Sequence, residues 1–186
     1  EKKVLENIDN INFVSSKSHI KFISKYPEHQ NKASFIYNGI AKDCNERDNK
    51  VQRDNSKVKF VSVGSVSFRK GYDLLIYSLT KINTNQIEID IIGDGPNYEE
   101  YQNLVKQLKL DKTIRFLGRK NNVDQLLSNY DAFILTSRDE GLPIAIIEAM
   151  RSRLPILATN VGGISELIED NGYLMEPNID SISYFI

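Results

Sequence analysis

The chain reads as an α/β protein built on a Rossmann-like parallel sheet with helices on both faces. Three observations predict this: short apolar runs recur from residue 57 onward, helical periodicity fills the intervals, and glycine-bearing turns follow the apolar runs. Strands that alternate with helices need crossover connections, and crossovers cover a parallel sheet on both sides.

Taken in order, residues 1–45 hold an alternating strand-like piece at 11–15, a helical piece at 18–26 and the turn-former Asn38-Gly39. That is too little apolar surface to fold alone. Residues 46–56 lack hydrophobic periodicity and read as an exposed loop or linker. The predicted strands follow at 60–64, 87–93, 113–118, 132–136 and 155–159. Between them, 72–82 sets Leu74, Leu75, Leu79 and Ile82 at three- and four-residue spacings, and 98–110 repeats Tyr101, Leu104, Val105 and Leu108 on one face. Pro143 is placed to start a further helix after the strand 132–136.

Composition excludes several classes. The 186 residues, 40% hydrophobic and 26% charged, suit a globular chain with one good core. A balance of 24 basic against 25 acidic side chains argues against a polyanion binder, so nucleic acid is not an expected partner. The single cysteine, Cys44, permits no internal disulfide and reads as a loop thiol. With only His19 and His29, both read as exposed, and without an aspartate-rich motif, no metal site is expected. The tyrosines and phenylalanines read mostly as core. A reducing, cytoplasmic setting fits this chain, which shows no signal peptide and opens on Glu1.

Four motifs sit where chemistry is expected, at strand carboxyl ends. Gly64-Ser65-Val66-Ser67-Phe68-Arg69-Lys70-Gly71 joins a strand to a helix, where amides, a helix dipole and two cations can hold phosphate; its alternative is a solvated basic turn. Gly93-Asp94-Gly95-Pro96 lacks the third glycine of a dinucleotide fingerprint and reads as a structural turn. Val161-Gly162-Gly163-Ile164-Ser165-Glu166 places paired glycines at the mouth of a short helix, which they either cap or open towards a ligand. Finally, Glu140 and Glu148 are two acids separated by seven uncharged residues, a pattern for gripping sugar and ribose hydroxyls unless both merely solvate a helix. Together the loops describe a crevice for a phosphorylated ligand.

The order of these motifs, above all Glu140-Gly141-Leu142-Pro143 with Glu148-Ala149-Met150, resembles the donor-binding domain of the group 1 retaining glycosyltransferases. The resemblance runs from about residue 34 to residue 184. It implies one half of a GT-B fold: 1–45 as a remnant of the N-terminal acceptor domain with the interdomain segment, 46–56 as linker, and 57–186 as the nucleotide-sugar domain. It further implies transfer from a nucleoside-diphosphate sugar to an unidentified acceptor, with retention and without a cofactor or metal. Residues 1–186 alone are then not expected to turn over. A location at the inner face of the membrane follows if the acceptor domain binds there.

Carried over singly, Lys70 would contact the diphosphate, Glu140 the transferred sugar and Glu148 the ribose; Gly64 would belong to the phosphate loop. The Gly141 and Leu142 amides would approach the sugar or distal phosphate, and Arg119 would lie beside the base. Ser65 departs from the family, which usually has arginine there, and Arg69 is the available substitute because a guanidinium binds phosphate bidentately. Three other functions share parts of the pattern: a glycoside hydrolase using Glu140 and Glu148 as acid and base, a nucleotide-sugar epimerase, and a binding module without catalysis.

Overall fold

A computed structural model describes residues 2–41 and 57–186; the predicted linker 46–56 and Cys44 lie outside the described residues. A short helix, α1 (Lys2–Glu6), precedes β1 (Ile11–Phe13), which pairs in parallel with β2 (Ala33–Phe35) through the crossover helix α2 (Ser16–Lys25). Ser15 caps α2, its hydroxyl accepting the Ser18 amide.

The main sheet has six parallel strands: β3 (Val58–Val63), β4 (Ile87–Ile92), β5 (Ile114–Gly118), β6 (Ala132–Leu135), β7 (Ile156–Thr159) and β8 (Gly172–Met175). Their spatial order is β5-β4-β3-β6-β7-β8. Connections run through α3 (Tyr72–Leu79), α4 (Tyr98–Gln107), α5 (Val123–Leu127) and α6 (Ile144–Arg151), and α7 (Ile179–Phe185) follows β8. The alternation of strand side chains divides the interior into two cores. Phe60, Ile89, Ile91, Ile134 and Leu157 pack under α3, α4 and α7, while Val61, Ile92, Phe133, Leu135, Ile156 and Ala158 pack under α5 and α6. No helix among the described residues is long and apolar enough to cross a membrane.

Both predicted long helices end earlier than their periodicity suggests. Thr80 caps α3, and Lys109 turns into the left-handed region after α4, so the apolar residues beyond pack from loops. The strand β8 is an edge strand, with Tyr173 largely exposed and only Met175 fully inside, too weak a pattern to recognise in isolation. One sequence expectation fails outright. His19 is not exposed: its ring lies between Phe13 and Phe35, with centroids 6.0 and 5.6 Å away, and His29 is also partly buried. Of the aromatic side chains, Phe60, Tyr72, Tyr101, Tyr130 and Phe133 are buried in the two cores with Tyr98, Phe116 and Phe185 packed against them, while Phe35, Tyr37, Phe68, Tyr77, Tyr173 and Tyr184 are exposed.

The two acids that interrupt the apolar pattern of β4 are satisfied locally. Asp90, 7% exposed, accepts from Arg115 Nε at 2.8 Å and Nη2 at 3.1 Å, and from the Tyr130 hydroxyl at 2.9 Å. Burial, and then the Asp90 carboxylate, push the Tyr130 hydroxyl well above its ordinary value, so it remains a donor. Tyr130→Phe is expected to cost about 1–2 kcal/mol, read as a lower denaturation midpoint with an unchanged m-value. A variant as stable as wild type would mean that the hydroxyl adds nothing to the grip of Arg115.

Candidate functional site

The strand order creates the site. From β3 the chain moves through α3 to β4 on one side, whereas from β6 it moves through α6 to β7 on the other. Because β3 and β6 are neighbours, the loops leaving their carboxyl ends diverge to opposite faces and open a crevice, the switch point at which open α/β sheets bind ligands. The lysine loop and the Glu140 loop are these two connections.

Gly64 lies under the Lys70 side chain, where a Cβ would stand 3.1 Å from Lys70 Cε. Across the crevice, Lys70 Nζ donates to Glu140 Oε1 at 2.6 Å and Arg69 Nη1 to Oε2 at 3.1 Å. The Ser137 hydroxyl adds a bond to Oε1 at 2.7 Å. The Lys70 and Glu140 side chains are only 9% and 7% exposed, whereas that of Arg69 is 50% exposed. Burial pushes the Glu140 carboxyl up, but the Lys70 ammonium, the Ser137 hydroxyl and the Arg69 charge together outweigh it and hold the group below its ordinary value. Glu140 is thus an ionised acceptor shared by two cations. Beside it Tyr72, fully buried, is pushed by burial and by the Glu140 charge up to about 12.

The two loops are braced together. Gly71, in the left-handed region at φ 66°, comes so close to β6 that a Cβ would lie 2.0 Å from Thr136 O; the Thr136 hydroxyl donates to Gly71 O at 3.0 Å. Arg138 forks onto Asp73 at 2.7 and 2.6 Å, donates to Phe68 O at 2.8 Å, and stacks 3.9 Å from the Phe68 ring centroid. Its amide also reaches Arg69 O at 2.8 Å. The lysine loop can therefore hardly move without the Glu140 loop.

The loop after β7 supports Glu140 from the other side. Gly162, at φ 55°, approaches so closely that a Cβ would stand 1.7 Å from Glu140 O, and the Gly163 amide donates to Gly141 O at 2.8 Å. These glycines have a packing reason of their own, as do Gly93 and Gly95, whose backbones press on Gly64 and Val66. The expected helix at 164 is a single 3₁₀ turn, Ile164–Glu166. Residues before β3 roof the crevice: Val14 Cγ2 lies 2.9 Å from where a Gly141 Cβ would be, and Asn38 Nδ2 donates to Leu142 O at 2.8 Å.

Of the residues singled out by sequence, Gly64, Arg69, Lys70, Glu140, Gly141 and Leu142 meet here; Leu142 is buried. Ser65 is exposed at the rim, and Glu148 is partly exposed in α6. Arg119 is not part of the cluster: it follows the edge strand β5, which β4 separates from β3. Ser137, Arg138, Asp73 and Asn38 carry no local signal of their role, since their partners are 65 to 104 residues away except within the Glu140 loop itself.

Comparison with known proteins bears on the same loops. The family model for glycosyl transferases group 1 matches residues 43–184. The chain is 38% identical over 126 residues to the Escherichia coli O-antigen biosynthesis glycosyltransferase WbnH, a match covering 68% of this chain and 36% of that protein. It is 36% identical over 105 residues to the N-acetyl-alpha-D-glucosaminyl L-malate synthase of Bacillus anthracis, covering 55% of this chain and 28% of that protein. The chain thus spans roughly a third of the length of these curated relatives. Among solved structures, Anabaena HepE in complex with UDP superposes with a TM-score of 0.79 at 22% identity, covering 98% of this chain and 54% of that one, a likeness of fold.

Proposed function

This chain belongs to the group 1 glycosyl transferases, and from that premise we propose that the protein transfers a sugar from a nucleoside-diphosphate sugar to an acceptor, with retention at the anomeric carbon. In this reading residues 57–186 form the donor domain, and 1–45 belong to the acceptor domain and the interdomain segment. The observation that carries it is the meeting of Arg69 and Lys70 on Glu140 at the switch point between β3 and β6. Two cations fixed at that switch point suit a diphosphate.

A nucleoside diphosphate is a good leaving group and needs fixed positive charge more than a proton. As the glycosidic carbon–oxygen bond stretches, negative charge grows on the diphosphate, and Lys70 and Arg69 stabilise it more in the transition state than in the ground state. The sugar becomes cation-like at the same moment, next to the ionised Glu140. The low position of the Glu140 carboxyl also disfavours the hydrolase alternative, whose general acid must hold its proton near neutrality. Glu148 and the Gly141 and Leu142 backbone complete the donor grip, with Arg119 left to reach a base from the rim.

The test is thermal unfolding with uridine, guanosine and adenosine diphosphates, alongside Glu148→Ala. Ligand at about a hundred times its dissociation constant adds about 2.7 kcal/mol, a midpoint rise of roughly 5–10 °C at this size. A rise with one base that Glu148→Ala abolishes is the expected result; a flat response to all three by the folded wild type would remove the donor reading.

A further inference from the structure

Glu166 is a charged residue of the β7 loop that the donor reading does not use, and its carboxylate takes three hydrogen bonds from the N-terminal part of the chain. Oε2 accepts the Ser16 amide at 2.9 Å and the Tyr37 hydroxyl at 2.9 Å, while Oε1 accepts the Lys17 amide at 2.9 Å. Ser16 and Lys17 open α2, a helix of 10 residues, and the first amides of a helix have no acceptor within it. Ser15 satisfies the Ser18 amide at 3.2 Å, so Glu166 takes two amides that the cap residue leaves over. A second bond joins the same elements, from Lys17 Nζ to the Ser165 hydroxyl.

The backbone on either side of this contact is built for close approach. A Cβ on Gly163 would stand 2.5 Å from Ser15 Cβ, so Gly163 is what lets Ser15, the cap of α2, lie against the loop. From there the path to the crevice is short: the Gly163 amide holds Gly141 O, and Gly162 abuts Glu140 O. Burial pushes the Glu166 carboxyl up, but the amides of Lys17 and Ser16 and the Tyr37 hydroxyl hold it below its ordinary value, so it meets the helix start as a charge.

We propose that Glu166 is a positioning residue of the crevice: its carboxylate clamps the first turn of α2 and Tyr37 onto the β7 loop, and through Gly163 holds the Gly141–Glu140 backbone in place. This rests on the donor reading only for what the crevice binds; the clamp itself is defined by the contacts of Ser16, Lys17 and Tyr37 with Glu166.

The experiment is amide hydrogen exchange on the 186-residue chain, wild type against Glu166→Ala and Glu166→Gln, followed by titration with uridine diphosphate. In Glu166→Ala the Ser16, Lys17 and Gly163 amides are expected to exchange about tenfold faster, with those of Phe133 and Ile134 in β6 unchanged. Glu166→Gln keeps the shape but only one acceptor oxygen and no charge, and is expected to fall between; a space-filling role would leave Gln like wild type, which overturns the proposal. So would faster exchange at Ser16 and Lys17 with Gly163 unchanged, since Glu166 would then be a local cap. Nucleotide affinity is expected to weaken about three- to tenfold in Glu166→Ala. Absence of nucleotide binding by wild type, with the Gly163 effect intact, would remove the donor reading and leave the clamp standing.

Discussion

Lys70→Met is expected to destabilise the protein by about 3–5 kcal/mol, because it strands the Glu140 carboxylate in a site too dry to hold it alone. At this size that corresponds to a midpoint roughly 10 °C lower. The surviving Arg69 contact is half in water and offsets little of the loss. The double variant Lys70→Met/Glu140→Gln removes the stranded charge and is expected to recover a large part of the stability, though no nucleotide binding. Denaturant unfolding of the set decides it: a double variant no more stable than the single one would mean that something other than Glu140 suffers.

The acid limb gives an independent reading of the same pair. The Glu140 carboxyl is held below its unfolded value of 4.5, so the contribution of the pair is complete above pH 4.5 and disappears as pH falls through the lower folded value. The stability curves of wild type and Lys70→Met are therefore expected to converge in acid. A gap of constant size from neutrality down to about pH 3 would contradict an ionised, lysine-paired Glu140.

Gly162→Ala is expected to cost at least about 2–4 kcal/mol and to weaken whatever the crevice binds. An L-residue in the left-handed region carries a penalty of about 1–2 kcal/mol before any contact is considered. Here the new methyl would also stand 1.7 Å from Glu140 O, a backbone atom that cannot rotate away. Relief requires the Glu140 loop to shift, which carries the carboxylate off Lys70. Gly39→Ala is the control: nothing lies within 4 Å of its Cβ position, and it is expected to stay within about 0.5 kcal/mol of wild type or slightly above it. Equal effects at the two glycines would refute the packing explanation.

Much of the fold was legible because strand and helix patterns here are short-range properties. The runs at 60–64, 87–93 and 132–136 contain β3, β4 and β6 or most of each, since a strand buried on both faces shows itself as apolar sequence. What escaped was governed by partners distant in the chain. The strand β8 is recognisable only once Ile156 pairs with Gly172, and α7 only through its packing against α3. The helix α3 stops at Leu79 although its apolar spacing continues, because spacing records what is buried and not whether the backbone is helical.

The site divides in the same way. The residue types, glycines, Lys70, Glu140 and Glu148 at strand ends, stand in the sequence, and with them the group 1 resemblance that the family match upholds. Their arrangement does not. Only the strand order makes neighbours of β3 and β6, and so sets Lys70 beside Glu140 while leaving Arg119 two strands away. Only the folded chain brings Ser16, Lys17 and Tyr37 to Glu166. The physical reason is one of range: local propensity and burial act over a few residues and are written in order along the chain, whereas ion pairs and close backbone contacts depend on which segments the packed sheet brings together.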